Sequence, residues 1–124
     1  MNAVRKRHIL IVEDNRDLAK GMSILLKHAG FEVETVHDGW EALRVSRARP
    51  PDAVLLDIGL PGLDGFQVSE AMRKDPDLKT VFIVAVSAYD QAAFPGRSEQ
   101  AGFDHQLVKP VSFQTIFTLL ESAL

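Results

Sequence analysis

Five polar residues that can bind a metal ion or react with phosphorus each follow a short apolar run in this sequence. Glu13 and Asp14 follow the first such run, Asp57 follows a second, Ser87 a third and Lys109 a fourth. Taken singly, each residue has an ordinary explanation as a helix cap, a turn residue or a solvated charge. Their joint occurrence at the ends of apolar runs is far less expected by chance, and it indicates one shared site.

The residue types indicate the chemistry of a hard metal ion and a phosphoryl group. Three carboxylates that approach one another repel, and this repulsion raises at least one pKa unless a cation lies among them. Mg²⁺ prefers oxygen ligands of this kind and accepts phosphate oxygens as well. Asp57 can then act as a nucleophile, while Ser87 and Lys109 can donate hydrogen bonds to phosphoryl oxygens. Zinc is not expected, because the chain has no cysteine and we predict no histidine at a strand end beside these residues.

A parallel sheet would bring these distant residues together, because the carboxyl ends of its strands share one edge. Strands and helices are predicted to alternate along the whole chain, which indicates an α/β fold, a doubly wound parallel sheet with helices on both faces. Five-stranded and longer strand orders both fit this alternation. The predicted strands are residues 8–12, 31–36, 53–57, 81–86 and 106–108, and the predicted helices are residues 17–27, 40–48, 66–73, 90–101 and 113–123.

The fourth predicted helix contains a helix-breaking pair, Pro95 and Gly96. Proline inside a helix costs about 3 kcal/mol and glycine about 1 kcal/mol relative to alanine. We therefore predict that residues 90–94 are irregular or form one loose turn. The regular helix should begin at about Pro95, with the proline in its first turn.

The length and composition of the chain limit the classes of function that it can have. The 124 residues suit a single domain, 1–124, and the net charge of −3 argues against a general nucleic-acid binder. Residues 1–7 are basic but no long apolar segment follows them, so they do not form a signal peptide. No apolar run approaches the length of a membrane span. We expect a soluble protein of the cytoplasm that works without a membrane anchor.

The motifs together resemble the receiver domain of two-component response regulators, of the chemotaxis-regulator type. The resemblance covers essentially the whole chain and depends on four motifs in order, since any one of them is weak. It implies a flavodoxin-like sheet with strand order 2-1-3-4-5. The matching stretches are residues 9–15 (ILIVEDN), 55–65 (LLDIGLPGLDG), 86–88 (VSA) and 107–110 (LVKP).

The resemblance also implies a role for each site residue. Asp57 would be the phosphoacceptor, and Asp14 and Asp57 would ligate Mg²⁺, with Glu13 acting largely through water and the Gly59 carbonyl as a further ligand. Ser87 and Lys109 would contact the phosphoryl oxygens, and the peptide bond after Lys109 would be cis. The phosphoryl donor would be a phosphohistidine on a histidine kinase or a histidine phosphotransfer protein. The fourth helix, fifth strand and fifth helix would form the face that signals to a partner.

Gln106 and the Pro95–Gly96 pair depart from the usual receiver pattern on the signalling face, which suggests an atypical partner or weak coupling. The family commonly has an aromatic residue three positions before the lysine, where this chain has Gln106. A glutamine cannot bury a ring, so we do not expect an aromatic switch at this position; receivers of hybrid sensor kinases often have a polar residue there. Gly59 and Tyr89, two residues beyond Asp57 and Ser87, flank the site at positions that affect phosphoryl lifetime in the family.

Two other functions remain open at this point. The chain could be an interaction module that keeps the receiver fold and signals without phosphorylation, which Gln106 favours. It could also be a Mg²⁺-dependent phosphohydrolase with an aspartyl nucleophile, although such enzymes usually need an acid two residues after the nucleophile, where Gly59 stands. We expect a monomer and a switch that is not a turnover enzyme.

Overall fold

The computed structural model of this protein describes residues 5–88 and 96–124. Within them, five parallel strands form one sheet in the order β2-β1-β3-β4-β5. The order 2-1-3-4-5 is confirmed, and it puts the half-exposed strand β2 at one edge of the sheet, as its alternating sequence indicates. The strands are β1 (His8–Val12), β2 (Glu32–Val36), β3 (Ala53–Asp57), β4 (Phe82–Ser87) and β5 (His105–Val108).

Five helices alternate with these strands, and their capping residues explain where most of them begin. The Asn15 side chain accepts hydrogen bonds from the backbone N–H groups of Asp17 and Leu18 at the start of α1. Asp38 caps α2 in the same way, and Asp64 and Gln67 form a reciprocal capping box at α3. The helices are α1 (Arg16–His28), α2 (Gly39–Ala48), α3 (Gly65–Lys74), α4 (Arg97–Ala101) and α5 (Phe113–Ala123).

The sheet buries a separate apolar cluster on each face. On one face, Leu10 and Leu56 pack with Leu43 of α2 and Met72 of α3. The opposite face, named here the α1–α5 face, is covered by helices α1 and α5. Its cluster includes Ile9, Ile11, Ala53, Leu55, Leu26, Ile116 and Leu120. Because side chains alternate between the faces of a strand, Glu13 and Asp57 continue the rows of Ile11 and Leu55 on the α1–α5 face.

The apolar residues of α1 do not all face the core. Leu26 is fully buried, but Leu18 and Leu25 are 54% and 47% exposed. The inward row of the helix also contains the small buried residues Ala19 and Ser23. Helical spacing of leucines therefore predicted the helix but not the face that packs on the sheet.

The fourth helix begins later than predicted. We expected a regular helix from about Pro95, whereas α4 starts at Arg97. Gly96, immediately before it, has φ +79, which a right-handed helix cannot contain. An unbroken helix through this position is therefore excluded; the predictions for residues 90–95 and for Tyr89 lie outside the described residues. No helix in the described part of the chain is long and apolar enough to cross a membrane.

Candidate functional site

The predicted site residues lie at the carboxyl end of the sheet because the strands deliver them there. All five residues of β3 are buried, including Asp57, whose side chain is 8% exposed. Glu13 follows β1 directly and is also buried, and Ser87 is the last residue of β4, 2% exposed. Lys109 follows β5, which pairs with β4 so that Ser87 lies opposite Val108. Residues up to 96 positions apart thus reach one end of the sheet.

The Lys109 ammonium group joins two of the carboxylates. Its Nζ donates to Glu13 Oε1 at 2.9 Å and to Asp57 Oδ2 at 3.3 Å. Partial burial alone lowers the pKa of Lys109, but the hydrogen bonds and charges of Glu13 and Asp57 outweigh it and raise the pKa above its usual value. Lys109 is therefore fully charged at neutral pH and partly neutralises the acids around it.

The two acids that contact this lysine belong to a cluster of three carboxylates. Glu13, Asp14 and Asp57 can each present one oxygen such that all three lie within 4.8 Å of one another. The remaining oxygens are partly held by backbone N–H groups: Asn15 donates to Glu13 at 3.1 Å and Gly59 donates to Asp57 at 3.0 Å. Three carboxylates and one ammonium leave an excess of two negative charges, and a divalent cation with oxygen ligands fits this donor set.

The loop after β3 is built closely around the Asp57 backbone. Gly65, the first residue of α3, donates its N–H to the Ile58 carbonyl at 3.0 Å. A Cβ atom at Gly65 would lie 2.6 Å from both the Asp57 carbonyl oxygen and the Ile58 Cα. Gly59 is exposed and contacts Asp57 through its N–H, while a metal-binding role of its carbonyl stays a prediction. The Lys109–Pro110 peptide bond is cis, as predicted.

The prediction that no histidine stands at a strand end beside this site is wrong. His37 directly follows Val36, the last residue of β2, and its Nδ1 lies 3.0 Å from the Glu13 carbonyl oxygen. Its position after an apolar residue at a strand end was the signal that the sequence reasoning missed. His37 contacts the backbone of the site, however, and among the described residues the group that could hold a metal consists of Glu13, Asp14 and Asp57. The site thus remains an oxygen site, and zinc is still not favoured.

Comparison with known proteins finds the same architecture and family. The chain is similar to the polar-differentiation response regulator DivK of Brucella anthropi, at 30% identity over 118 residues that cover 95% of this chain and 96% of that protein. Its fold matches the chemotaxis response regulator CheY4 of Vibrio cholerae with a TM-score of 0.89, at 28% identity, covering 97% of this chain and all of that one.

A third similar protein carries a metal ion. The receiver domain of sensor histidine kinase PA1611 of Pseudomonas aeruginosa matches with a TM-score of 0.84 at 31% identity, covering 96% of this chain and 98% of that one. That structure has a magnesium ion coordinated in its active-site cleft. The family model described as the response regulator receiver domain matches residues 9–121 of this chain. The chain therefore belongs to the receiver domain family of two-component response regulators.

Proposed function

We propose that this receiver domain is a switch that accepts a phosphoryl group from a phosphohistidine onto Asp57 in the presence of Mg²⁺. The observation that carries the proposal is the pairing of a buried carboxylate with a charged lysine at 3.3 Å, inside a cluster of three acids. Hydrogen bonds from the Gly59 N–H and the Lys109 ammonium group orient this carboxylate, as a nucleophile must be oriented. The donor would be a histidine kinase or a histidine phosphotransfer protein.

The acids would hold the metal ion at the carboxyl end of the sheet. Asp14 and Asp57 would ligate it directly, Glu13 largely through water, and the Gly59 carbonyl would complete the protein ligands. When bound, Mg²⁺ would neutralise the charge that builds up as a phosphoryl group approaches these carboxylates. The magnesium ion in the PA1611 receiver domain and the excess negative charge of this cluster both support the assignment.

Asp57, Lys109 and Ser87 would have different roles in the phosphoryl transfer step. An Asp57 carboxylate oxygen forms the new bond to phosphorus while the bond from phosphorus to the donor's histidine nitrogen breaks, and the electron pair returns to the imidazole. Lys109 exchanges its contact with Asp57 for one with a phosphoryl oxygen, which keeps its ammonium paired. The Ser87 hydroxyl donates to another phosphoryl oxygen. The protein positions the reacting groups and supplies charge, and Asp57 is regenerated when the acyl phosphate is hydrolysed. We infer that the domain acts as a switch and not as a turnover enzyme. Its proposed location is the cytoplasm.

The output would be a change in partner binding through the face formed by α4, β5 and α5. A second candidate function is a module that binds its partner without phosphorylation, and Gln106 is the observation that favours it. Gln106 lies opposite Ala85 in the sheet, where a ring would be needed for an aromatic switch. Partner binding that does not respond to a phosphodonor would identify this second function.

Intact mass spectrometry tests the main proposal. The protein is incubated with acetyl phosphate, or with a phosphorylated histidine donor, in Mg²⁺ and in EDTA. We expect the mass of one phosphoryl group to be added in Mg²⁺ only and to be absent from Asp57→Asn. Asp77→Asn, which changes an exposed carboxylate after α3, should be labelled like the unchanged protein. Absence of labelling under all conditions, or equal labelling of Asp57→Asn, would refute the proposal.

A further inference from the structure

A cavity of about 390 Å³ opens beside the acidic cluster on the α1–α5 face. Its walls are apolar side chains of the sheet and of the two helices and loops that cover it. They include Ile11, Met22, Leu55, Val86, Val111 and Ile116. This volume lies within the range of small-ligand pockets, and an apolar cavity with a few converging polar groups is the usual form of such pockets. Phosphoryl transfer at Asp57 does not require this apolar space.

The polar groups at the cavity define the charge that a ligand must carry. Glu13, Asp57 and Lys109 all line it, and the first two have side chains only 11% and 8% exposed. With Asp14 in the same cluster, the carboxylates outnumber the ammonium group by two. An anionic ligand would meet net repulsion here. A ligand without charge would leave the excess negative charge unpaired.

We propose that this cavity binds a small organic cation, a primary amine with an apolar body of about the size of a hexyl chain. The ammonium group of the ligand binds Glu13 and Asp57 from the cavity side, beside Lys109, and lowers the excess of negative charge from two to one. The apolar body fills the space between Met22, Val111 and Ile116. A Mg²⁺ ion would occupy only the carboxylate end of this site, because the waters that it keeps do not bind to the apolar walls of the cavity.

The amine and Mg²⁺ neutralise the same carboxylates, so each weakens the binding of the other. Amine binding itself depends only on the cavity and its charges. Its consequence, which rests on the proposed function, is that an amphiphilic amine inhibits the phosphorylation of Asp57 and that excess Mg²⁺ reverses the inhibition.

A homologous series of amines tests the binding. Titration of the protein with propylamine through hexylamine, followed by NMR shifts of the amides near the site, should show affinity rising about three- to four-fold per added methylene. Hexanol, which lacks the charge, and hexanoate, which reverses it, should both bind at least ten-fold more weakly than hexylamine. Equal binding of hexanol, tighter binding of hexanoate, or affinity that does not change with chain length would each overturn the proposal.

A pair of matched variants locates the ligand. Val111→Phe fills the cavity and should remove most of the gain in affinity with amine chain length. Val108→Phe places the same ring on an exposed position of β5 outside the cavity and should bind the amines like the unchanged protein. Unchanged hexylamine binding by Val111→Phe would overturn the assignment of the ligand to this cavity. If that variant does not fold, the amine series with the unchanged protein still tests the proposal.

A mass assay distinguishes a failure of this proposal from a failure of the proposed function. Amine binding without any phosphorylation would contradict the proposed function only, while phosphorylation that hexylamine does not slow would contradict the competition.

Discussion

The ammonium group of Lys109 lies 2.9 Å from the Glu13 carboxylate, across 96 residues of sequence. This contact is shorter than the 3.3 Å that separates Lys109 from Asp57. In the unphosphorylated protein the lysine is therefore anchored mainly by Glu13 and only in part by the proposed nucleophile. In the proposed phosphorylated state, a phosphoryl group on Asp57 would bind the same ammonium group while Lys109 stays close to Glu13. Lys109 would then be a counter-ion in both states of the proposed switch.

Replacing Lys109 should have opposite effects on Mg²⁺ binding and on the rate of phosphorylation. Lys109→Met removes the ammonium group that competes with Mg²⁺ for the carboxylates, so we expect tighter Mg²⁺ binding, by about two- to ten-fold. The same change should slow phosphorylation by about 10- to 100-fold, since a charged hydrogen bond contributes about 1.5–3 kcal/mol. Isothermal titration with Mg²⁺ and the mass assay measure the two effects. Lys79→Met, at an exposed lysine before β4, should change neither, and weaker Mg²⁺ binding by Lys109→Met would contradict this account.

The raised pKa of Lys109 predicts how its ion pairs depend on pH. The pKa of Lys109 is higher in the folded protein than the ordinary value of about 10.4 in the unfolded chain. The stabilisation of the fold by the ion pairs of Lys109 is therefore fully present below about pH 10.4. It is lost as pH rises through the folded value. Denaturant unfolding of the unchanged protein and of Lys109→Met should show a difference in unfolding free energy that is constant from pH 7 to about pH 10 and then shrinks. A difference that grows above pH 10 would show that the pKa is lowered instead.

The close approach at Gly65 predicts opposite effects for two glycine substitutions. Gly65→Ala forces a methyl group to 2.6 Å from the Asp57 carbonyl oxygen and should destabilise the fold by about 1–3 kcal/mol. It should also slow phosphorylation, because the displaced backbone carries Asp57, the proposed phosphoacceptor. At Gly21, an exposed position inside α1, a Cβ meets nothing within 4 Å, so Gly21→Ala should stabilise the protein by up to about 1 kcal/mol. Thermal and denaturant unfolding test both, and equal effects of the two changes would contradict the packing described here.

Much of this site could be predicted from sequence because buried parallel strands are easy to recognise. The run from Ala53 to Asp57 is wholly apolar until the carboxylate, and that pattern alone fixes where the strand ends. The position of His37 was not predicted because its strand, β2, is a partly exposed edge strand, whose alternating pattern identifies the buried face but not which residue beyond the strand contacts the site. The start of α4 depended on the backbone conformation of Gly96, which the residue type permits but does not determine.

The Arg73 side chain, which is 22% exposed, donates four hydrogen bonds to two neighbouring segments of the chain. Its Nε donates to the Gly102 carbonyl at 2.9 Å, and its Nη1 donates to the carbonyls of Lys79 and Val81 at 2.8 and 2.7 Å. Its Nη2 pairs with Asp104 at 2.9 Å. One side chain of α3 thereby holds the loop before β4 and the turn between α4 and β5.

Removing this guanidinium group leaves several acceptors without their donor. We expect Arg73→Ala to lower the free energy of unfolding by about 3 kcal/mol, a value typical of a lost charged network. Arg73→Lys should recover little of it, because an ammonium group cannot reach the acceptors in the fork geometry of arginine. Arg47→Ala is the matched control: Arg47 is 57% exposed, lies 3.5 Å from Asp75, and should cost less than 1 kcal/mol, as most exposed ion pairs do. If denaturant unfolding gives the same small loss for both alanine variants, the hydrogen bonds of Arg73 add no more than a surface contact, and the link between α3 and the α4–β5 turn is not a stabilising one.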